Sequence, residues 1–274
     1  MYTAYWKLDA RPFENDDDRR FYYPSQGHQV SLLKLRYALE HPRGAALLAG
    51  IAGVGKSLLA RTLLQDLPES FGPLVSVNFP QMSPAELLAF VAEELTGRSM
   101  EGASIDRSVH AIQRMLDKNA QEGRRAVLVI EEAHLLRDTE VMETLRLLLN
   151  FGPSWAPLLV AQPSLLPALE RMPELEERIG VQCLLRPLAI DETISYISHR
   201  MLAAGAADVY AIFDPAALEV MHQLSAGVPR RINRLGDLAL LIGYAEEQRR
   251  VTAEHVAAVA DELLTANASL RQAA

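Results

Sequence analysis

The chain has little that would tether it from outside. One of its 274 residues is cysteine, Cys183, which excludes an intramolecular disulfide framework and a multi-cysteine zinc site. Its setting in the apolar run Val181-Gln182-Cys183-Leu184-Leu185 makes it a buried thiol without chemistry of its own. No stretch approaches the ~18 uninterrupted apolar residues of a membrane span, and the N-terminus lacks a basic segment followed by an apolar one. A cytoplasmic protein that does not span a membrane is expected. Internal repeats and low-complexity tracts are missing, and the longest charge run is Asp16-Asp17-Asp18-Arg19-Arg20. Lysine occurs only at Lys7, Lys34, Lys56 and Lys118, so arginine carries most of the positive charge. The net charge of −8 argues against a surface built wholly for nucleic acid or anionic lipid, though it leaves room for a local basic patch.

Apolar residues are plentiful. At 49% hydrophobic the chain has enough for a large core, which excludes a disordered or collagen-like protein. Aromatics are few but bunched: Tyr2, Tyr5, Trp6, Phe13, Phe21, Tyr22 and Tyr23 all fall in the first 23 residues, with Pro12 and Pro24 interrupting regular structure. Residues 1–25 therefore read as an aromatic arm. Its rings either pin it to a domain or cover a planar ligand. Residues 26–40 follow as a helix, with Val30, Leu33 and Tyr37 on one apolar face and Leu32, Leu35 and Leu39 on its neighbour.

Five short apolar runs then alternate with helical text, at 44–49, 74–78, 126–130, 157–161 and 181–185. Near-continuous apolar strands between helices predict an α/β domain over 26–187, its five-stranded parallel sheet buried on both faces. Residues 188–274 carry no further strand pattern. They read as a small all-helical domain with helices over 191–204, 214–225, 229–247 and 252–265; Asp191, Asp214-Pro215 and Thr252 are start signals, and Gly205 and Gly227 stop signals.

The run Gly50-Ile51-Ala52-Gly53-Val54-Gly55-Lys56-Ser57 matches G-x-x-x-x-G-K-[ST] between an apolar strand and a helix that continues through Leu58. In such a loop the glycines let backbone N–H groups wrap a phosphate chain, and the helix N-terminus adds a favourable dipole. Lys56 would reach the β and γ phosphates of ATP, and the Ser57 hydroxyl would ligate Mg²⁺. A second strand ends in two acids, Val127-Leu128-Val129-Ile130-Glu131-Glu132. The first would hold Mg²⁺ and the second would deprotonate the attacking water. The usual first acid is Asp; with Glu131, one methylene longer, either the metal geometry adjusts or hydrolysis is impaired. The space between the two motifs admits an extra strand, at 74–78, which places the chain in the additional-strand class of P-loop NTPase.

At this point the residues resemble AAA+ ATPases, and more narrowly the ExeA, or general secretion pathway protein A, family with its relatives in pilus and exopolysaccharide systems. The likeness rests on Tyr5-Trp6-x-Leu8, Pro12-Phe13, Arg20-Phe21-Tyr22-Tyr23, Glu132-Ala133-His134-x-Leu136, Leu145-Arg146-Leu147-Leu148-x-Asn150 and Ala161-Gln162-Pro163. It continues through Leu175-x-x-Arg178-Ile179, Glu192-Thr193-x-x-Tyr196-Ile197-x-His199-Arg200 and Gly227-x-Pro229-Arg230-x-Ile232-Asn233. The resemblance implies that Gln162 is a polar sensor, Arg178 an arginine finger acting across a ring or filament of copies, and Arg230 a second sensor on a helical lid. Plainer readings stand beside these: Gln162 caps a strand, Arg178 pairs with Glu174 or Glu177, and Arg231 and Arg234 compete with Arg230. His134 reads as a supporting donor to the acids rather than as a base.

Longer family members continue into a membrane span and a periplasmic segment, so 274 residues are expected to hold the cytosolic motor alone. The leading expectation is a Mg²⁺-dependent, self-assembling ATPase that serves a membrane or secretion-system partner. Two alternatives are an ATP-dependent regulator of transposition that binds DNA, and a nucleotide-gated scaffold that does not hydrolyse.

Overall fold

The computed structural model describes residues 1–14, 18–41, 44–136, 138–152 and 154–272, with side chains as far as 263. Asp16 and Asp17 of the charge run lie outside these residues. In chain order the elements are α1 (Tyr2–Tyr5), α2 (Gln26–Glu40), β1 (Ala45–Gly50), α3 (Lys56–Gln65), β2 (Phe71–Val77), α4 (Pro84–Thr96), α5 (Ile105–Gln121) and β3 (Arg125–Ile130). They continue with α6 (Thr139–Leu148), β4 (Trp155–Ala161), α7 (Leu166–Glu170), α8 (Pro173–Glu176) and β5 (Ile179–Leu185). The last are α9 (Ile190–Ala203), α10 (Val209–Ile212), α11 (Pro215–Ser225), α12 (Pro229–Ala245) and α13 (Ala253–Gln272). Among the described residues no helix is long and apolar enough to cross a membrane.

Two compact units result. One comprises Gly27–Ala52 and Lys56–Leu185; the other comprises Met1–Gln26, Gly53–Gly55 and Arg186–Ala274. In the first, five parallel strands lie in the order β2-β3-β4-β1-β5. Every residue of β1 and β4 is buried, because helices cover both faces, and this is why those strands read as unbroken apolar runs rather than alternating ones. β2, β3, β4 and β5 begin up to three residues before their expected starts.

Helix α2 has two apolar faces, and the structure decides which of them lies inward. Its bounds agree with the expected helix, but Val30, Leu33 and Tyr37 are 47%, 71% and 43% exposed. The buried stripe runs through His28, Ser31, Leu35, Ala38 and Leu39. Small and polar side chains lie inward where the helix passes Cys183, whose Sγ sits 4.0 Å from the Ser31 carbonyl oxygen. Cys183 is buried, as its apolar run suggested.

The second unit has its own core. Tyr2, Trp6, Leu8, Phe13 and Phe21 pack with Ile197, Phe213, Met221, Leu240 and Val251, so the N-terminal rings anchor their segment to the C-terminal helices. Two glycines of α12 make room for them. A Cβ on Gly236 would come within 2.6 Å of the Phe13 ring, and one on Gly243 within 2.9 Å of Trp6. The Trp6 indole N–H donates to Leu240 O at 2.9 Å, which satisfies the only polar atom of that buried side chain. Arg200 donates to the carbonyl oxygens of Pro12 and Glu14, fixing the segment between the rings. Within the helices, α10 was not anticipated, α12 stops two residues early at Ala245, and α13 runs past 265 to Gln272.

Candidate functional site

Parallel pairing brings three strand ends to one edge of the sheet. Ala49 lies level with Ala161, and Ile130 with Leu159, so β1, β3 and β4 release Gly50, Glu131 and Gln162 at the same carboxyl edge. Clefts at that edge are where open α/β sheets bind ligands.

Gly50 ends β1, Ile51 and Ala52 are exposed, and α3 begins at Lys56. Gly53 and Gly55 have φ of 87° and 98°, a left-handed backbone that side-chain-bearing residues adopt only at a cost. Lys56 is buried to 7% exposure, and its Nζ donates to Ile51 O at 3.2 Å. Ser57 and Leu58 occupy the first turn of α3. Gly53–Gly55 group with the helical unit. There the Arg230 N–H donates to Gly53 O at 3.2 Å, and a Cβ on Gly53 would stand 2.9 Å from Arg230 Cβ. Arg231 and Arg234 are exposed elsewhere on α12; of the three, Arg230 is the one whose backbone meets Gly53.

The two acids differ sharply. Glu131 Oε2 accepts a hydrogen bond from Ser57 Oγ at 3.0 Å, across 74 positions of sequence. Burial pushes its carboxyl above the ordinary glutamate range and Glu132 adds to the shift, while the Ser57 hydroxyl and the charges of Lys56 and Arg61 oppose it. Arg61 was overlooked in the sequence, although its spacing of four from Ser57 places both on one face of α3. Glu132 has φ 50° and ψ 36°, a left-handed conformation uncommon outside glycine, and its Oε2 lies 3.5 Å from His134 Nε2.

A stability prediction follows from Glu131. Because folding raises this carboxyl's pKa, the native state favours the neutral form, and that contribution is lost as pH rises above the ordinary glutamate range. Glu131→Gln is neutral at every pH. The ligand-free variant is therefore expected to melt with the wild type in acid and above it near neutrality. Thermal melts across that range test this; parallel curves would show that the buried carboxyl carries no such penalty.

Gln162 follows β4 and caps the turn Pro163–Leu165, its backbone N–H directed to His134 Nδ1 at 3.3 Å. Arg178 is elsewhere. It precedes β5, its carbonyl accepts from Ala45 N–H at 2.7 Å, and its side chain is exposed. That is the amino edge of the sheet, separated from the glycine loop by the six residues of β1, a rise of roughly 20 Å. The alternative ion pair with Glu174 does not form, since Glu174 faces Arg146 at 3.6 Å; among the described residues Arg178 forms no ion pair.

Residues 39–169 match a family model described as an AAA domain. The chain is 32% identical over 270 residues to the general secretion pathway protein A of Aeromonas hydrophila, a match covering 96% of this chain and 48% of that protein. It thus spans about half the length of that curated relative. Among solved structures it resembles the Aeropyrum pernix ORC2 protein in its ADPNP–ADP complexes, with TM-score 0.66, 19% identity and coverage of 93% of this chain and 72% of that one. The Cdc6p of Pyrobaculum aerophilum gives TM-score 0.67 at 16% identity, covering 88% and 67%. The RuvB branch migration motor of Thermotoga maritima gives 0.56 at 20%, covering 87% and 70%. At these identities the structural likeness is one of fold.

Proposed function

We propose that this chain, in which residues 39–169 match an AAA domain and 96% of the length resembles a general secretion pathway protein A, is an AAA-family P-loop protein that binds and hydrolyses Mg²⁺-ATP as an assembly of copies serving a secretion or envelope-assembly system. The observation that carries this reading is the Ser57–Glu131 hydrogen bond. It joins the glycine loop to the acid-bearing strand at the edge where a nucleotide would lie.

The residues suit both implied groups. Left-handed glycines and the N-terminus of α3 offer N–H donors for phosphates, with Lys56 as the adjacent cation. The Ser57 hydroxyl and Glu131 carboxylate are hard oxygen donors of the kind that hold Mg²⁺. Bound Mg²⁺ would supply charge neutralisation on the phosphates. The longer arm of Glu131 already spans to Ser57.

Glu132 takes the proton of the attacking water. Gln162, leaving β4 at the same edge, orients polar groups there, and Arg230, against Gly53, links the glycine loop to α12. Arg178, at the far edge, serves the nucleotide of a neighbouring copy, where a guanidinium stabilises charge on the transferring phosphoryl group.

Subunit mixing tests this last assignment. Arg178→Ala and Glu132→Gln are each expected to be inactive alone, while particle mass still rises with ATP. Mixed, they are expected to recover part of the ATPase rate, because an intact base in one copy meets an intact arginine from the next. A mixture as inactive as its components would remove Arg178 from the interface. An ATP-dependent, salt-sensitive shift of duplex DNA would replace the secretion reading with that of a DNA-bound filament.

A further inference from the structure

His134 lies in the short turn Ala133–Leu135 that follows the two acids, and its side chain is only 9% exposed. Its two ring nitrogens face different partners. Nδ1 accepts the backbone N–H of Gln162 at 3.3 Å, and Nε2 is 3.5 Å from Glu132 Oε2. A backbone amide can only donate, so Nδ1 carries no proton, and the neutral ring must hold its hydrogen on Nε2, toward the carboxylate. One tautomer satisfies both neighbours.

Glu132 needs such a partner. Its left-handed backbone, φ 50° and ψ 36°, is strained for a residue with a side chain and persists only where surrounding contacts impose it. The carboxylate hangs from a turn rather than from a strand or helix, and catalytic hydrogen bonds are commonly long before a substrate tightens them.

We propose that His134 is a positioning residue, which holds the general base Glu132 through Nε2–H and ties its placement to the end of β4 through Nδ1 and the Gln162 amide. A shift of the Gln162 backbone would then turn the ring and move the carboxylate, so the strand that carries the sensor also sets the base. This rests on Glu132 being the base of an ATPase.

Two substitutions separate the two bonds. His134→Asn keeps an acceptor where Nδ1 was and loses the donor to Glu132; His134→Gln places an amide N–H near the Nε2 position. In the full chain, His134→Asn is expected to lower kcat roughly tenfold or more, as misplacing a catalytic group does, with KM and ATP affinity unchanged. His134→Gln is expected to regain most of the rate. Glu132→Gln combined with His134→Asn should be no slower than Glu132→Gln alone.

Equal turnover by wild type and His134→Asn would overturn the proposal. So would equal losses in the Asn and Gln variants accompanied by lower melting temperatures, which would mark a merely structural ring. Glu132→Gln, assayed beside them, distinguishes the two levels. If the wild type hydrolyses and Glu132→Gln does not, a silent His134→Asn counts against His134 alone. If wild type and Glu132→Gln are equally slow, the ATPase reading falls and the positioning role falls with it.

Discussion

Lys56→Ala is expected to weaken ATP binding by roughly a thousandfold. A cation about 4 Å from a phosphate in a partly shielded site contributes about 4 kcal/mol, and each ~1.4 kcal/mol is tenfold in the dissociation constant. The N-terminus of α3 remains in the variant, but a helix terminus contributes about 0.3–1 kcal/mol, reaching ~2 in favourable geometry, which does not replace an ammonium. The fold is expected to survive. Lys56 loses its bond to Ile51 O, worth about 1 kcal/mol net, while Leu59, Ala60 and Leu63 keep α3 seated. Titration calorimetry with ATP, beside melting curves matching the wild type, measures the effect. A variant that melts normally and binds ATP within about tenfold of the wild type, a gap of ~1.4 kcal/mol, would show that the loop does not use this lysine.

Glu132→Gln is expected to retain ATP binding and nucleotide-dependent assembly while losing turnover by about 10²- to 10⁴-fold, the usual contribution of a positioned general base. The amide preserves the size of the side chain but is far too weak a base to accept the proton of water. Glutamine at φ 50° meets the same backbone cost as glutamate, so the change is confined to chemistry. ATPase rates and dissociation constants measured on one preparation give the test. Equal slow rates in wild type and variant would favour the nucleotide-gated scaffold.

The parts of the site that are contiguous in sequence were legible there. The glycine loop with Lys56 and Ser57 is a single motif, and its strand-before, helix-after context was visible in the apolar run ending at Gly50. Glu131 and Glu132 were visible for the same reason, at the end of β3. The face of α2 was not. Val30, Leu33 and Tyr37 are as apolar as Leu35 and Leu39, and periodicity cannot say which of two neighbouring stripes meets the sheet when the buried one includes His28 and Ser31. The aromatic segment was legible as unusual, but its partners Gly236 and Gly243 lie more than 200 positions away. The early ends of β2 and β4 were hidden because Pro73 and Pro157 sit inside strands, where a chain read alone treats proline as a boundary.

The sequence by itself determined the class of fold, the glycine loop and the position of the two acids, because each is encoded by residues adjacent in the chain or by a local period. Tertiary structure alone decided which of these act together. Ser57 reaches Glu131 over 74 residues, and Gln162 reaches His134 over 28, because parallel strands in the order β2-β3-β4-β1-β5 bring their carboxyl ends to one edge. The same order sends Arg178 to the opposite edge, beyond reach of the glycine loop that leaves β1. Distance along the chain carries no information about such meetings; the strand order and its register do.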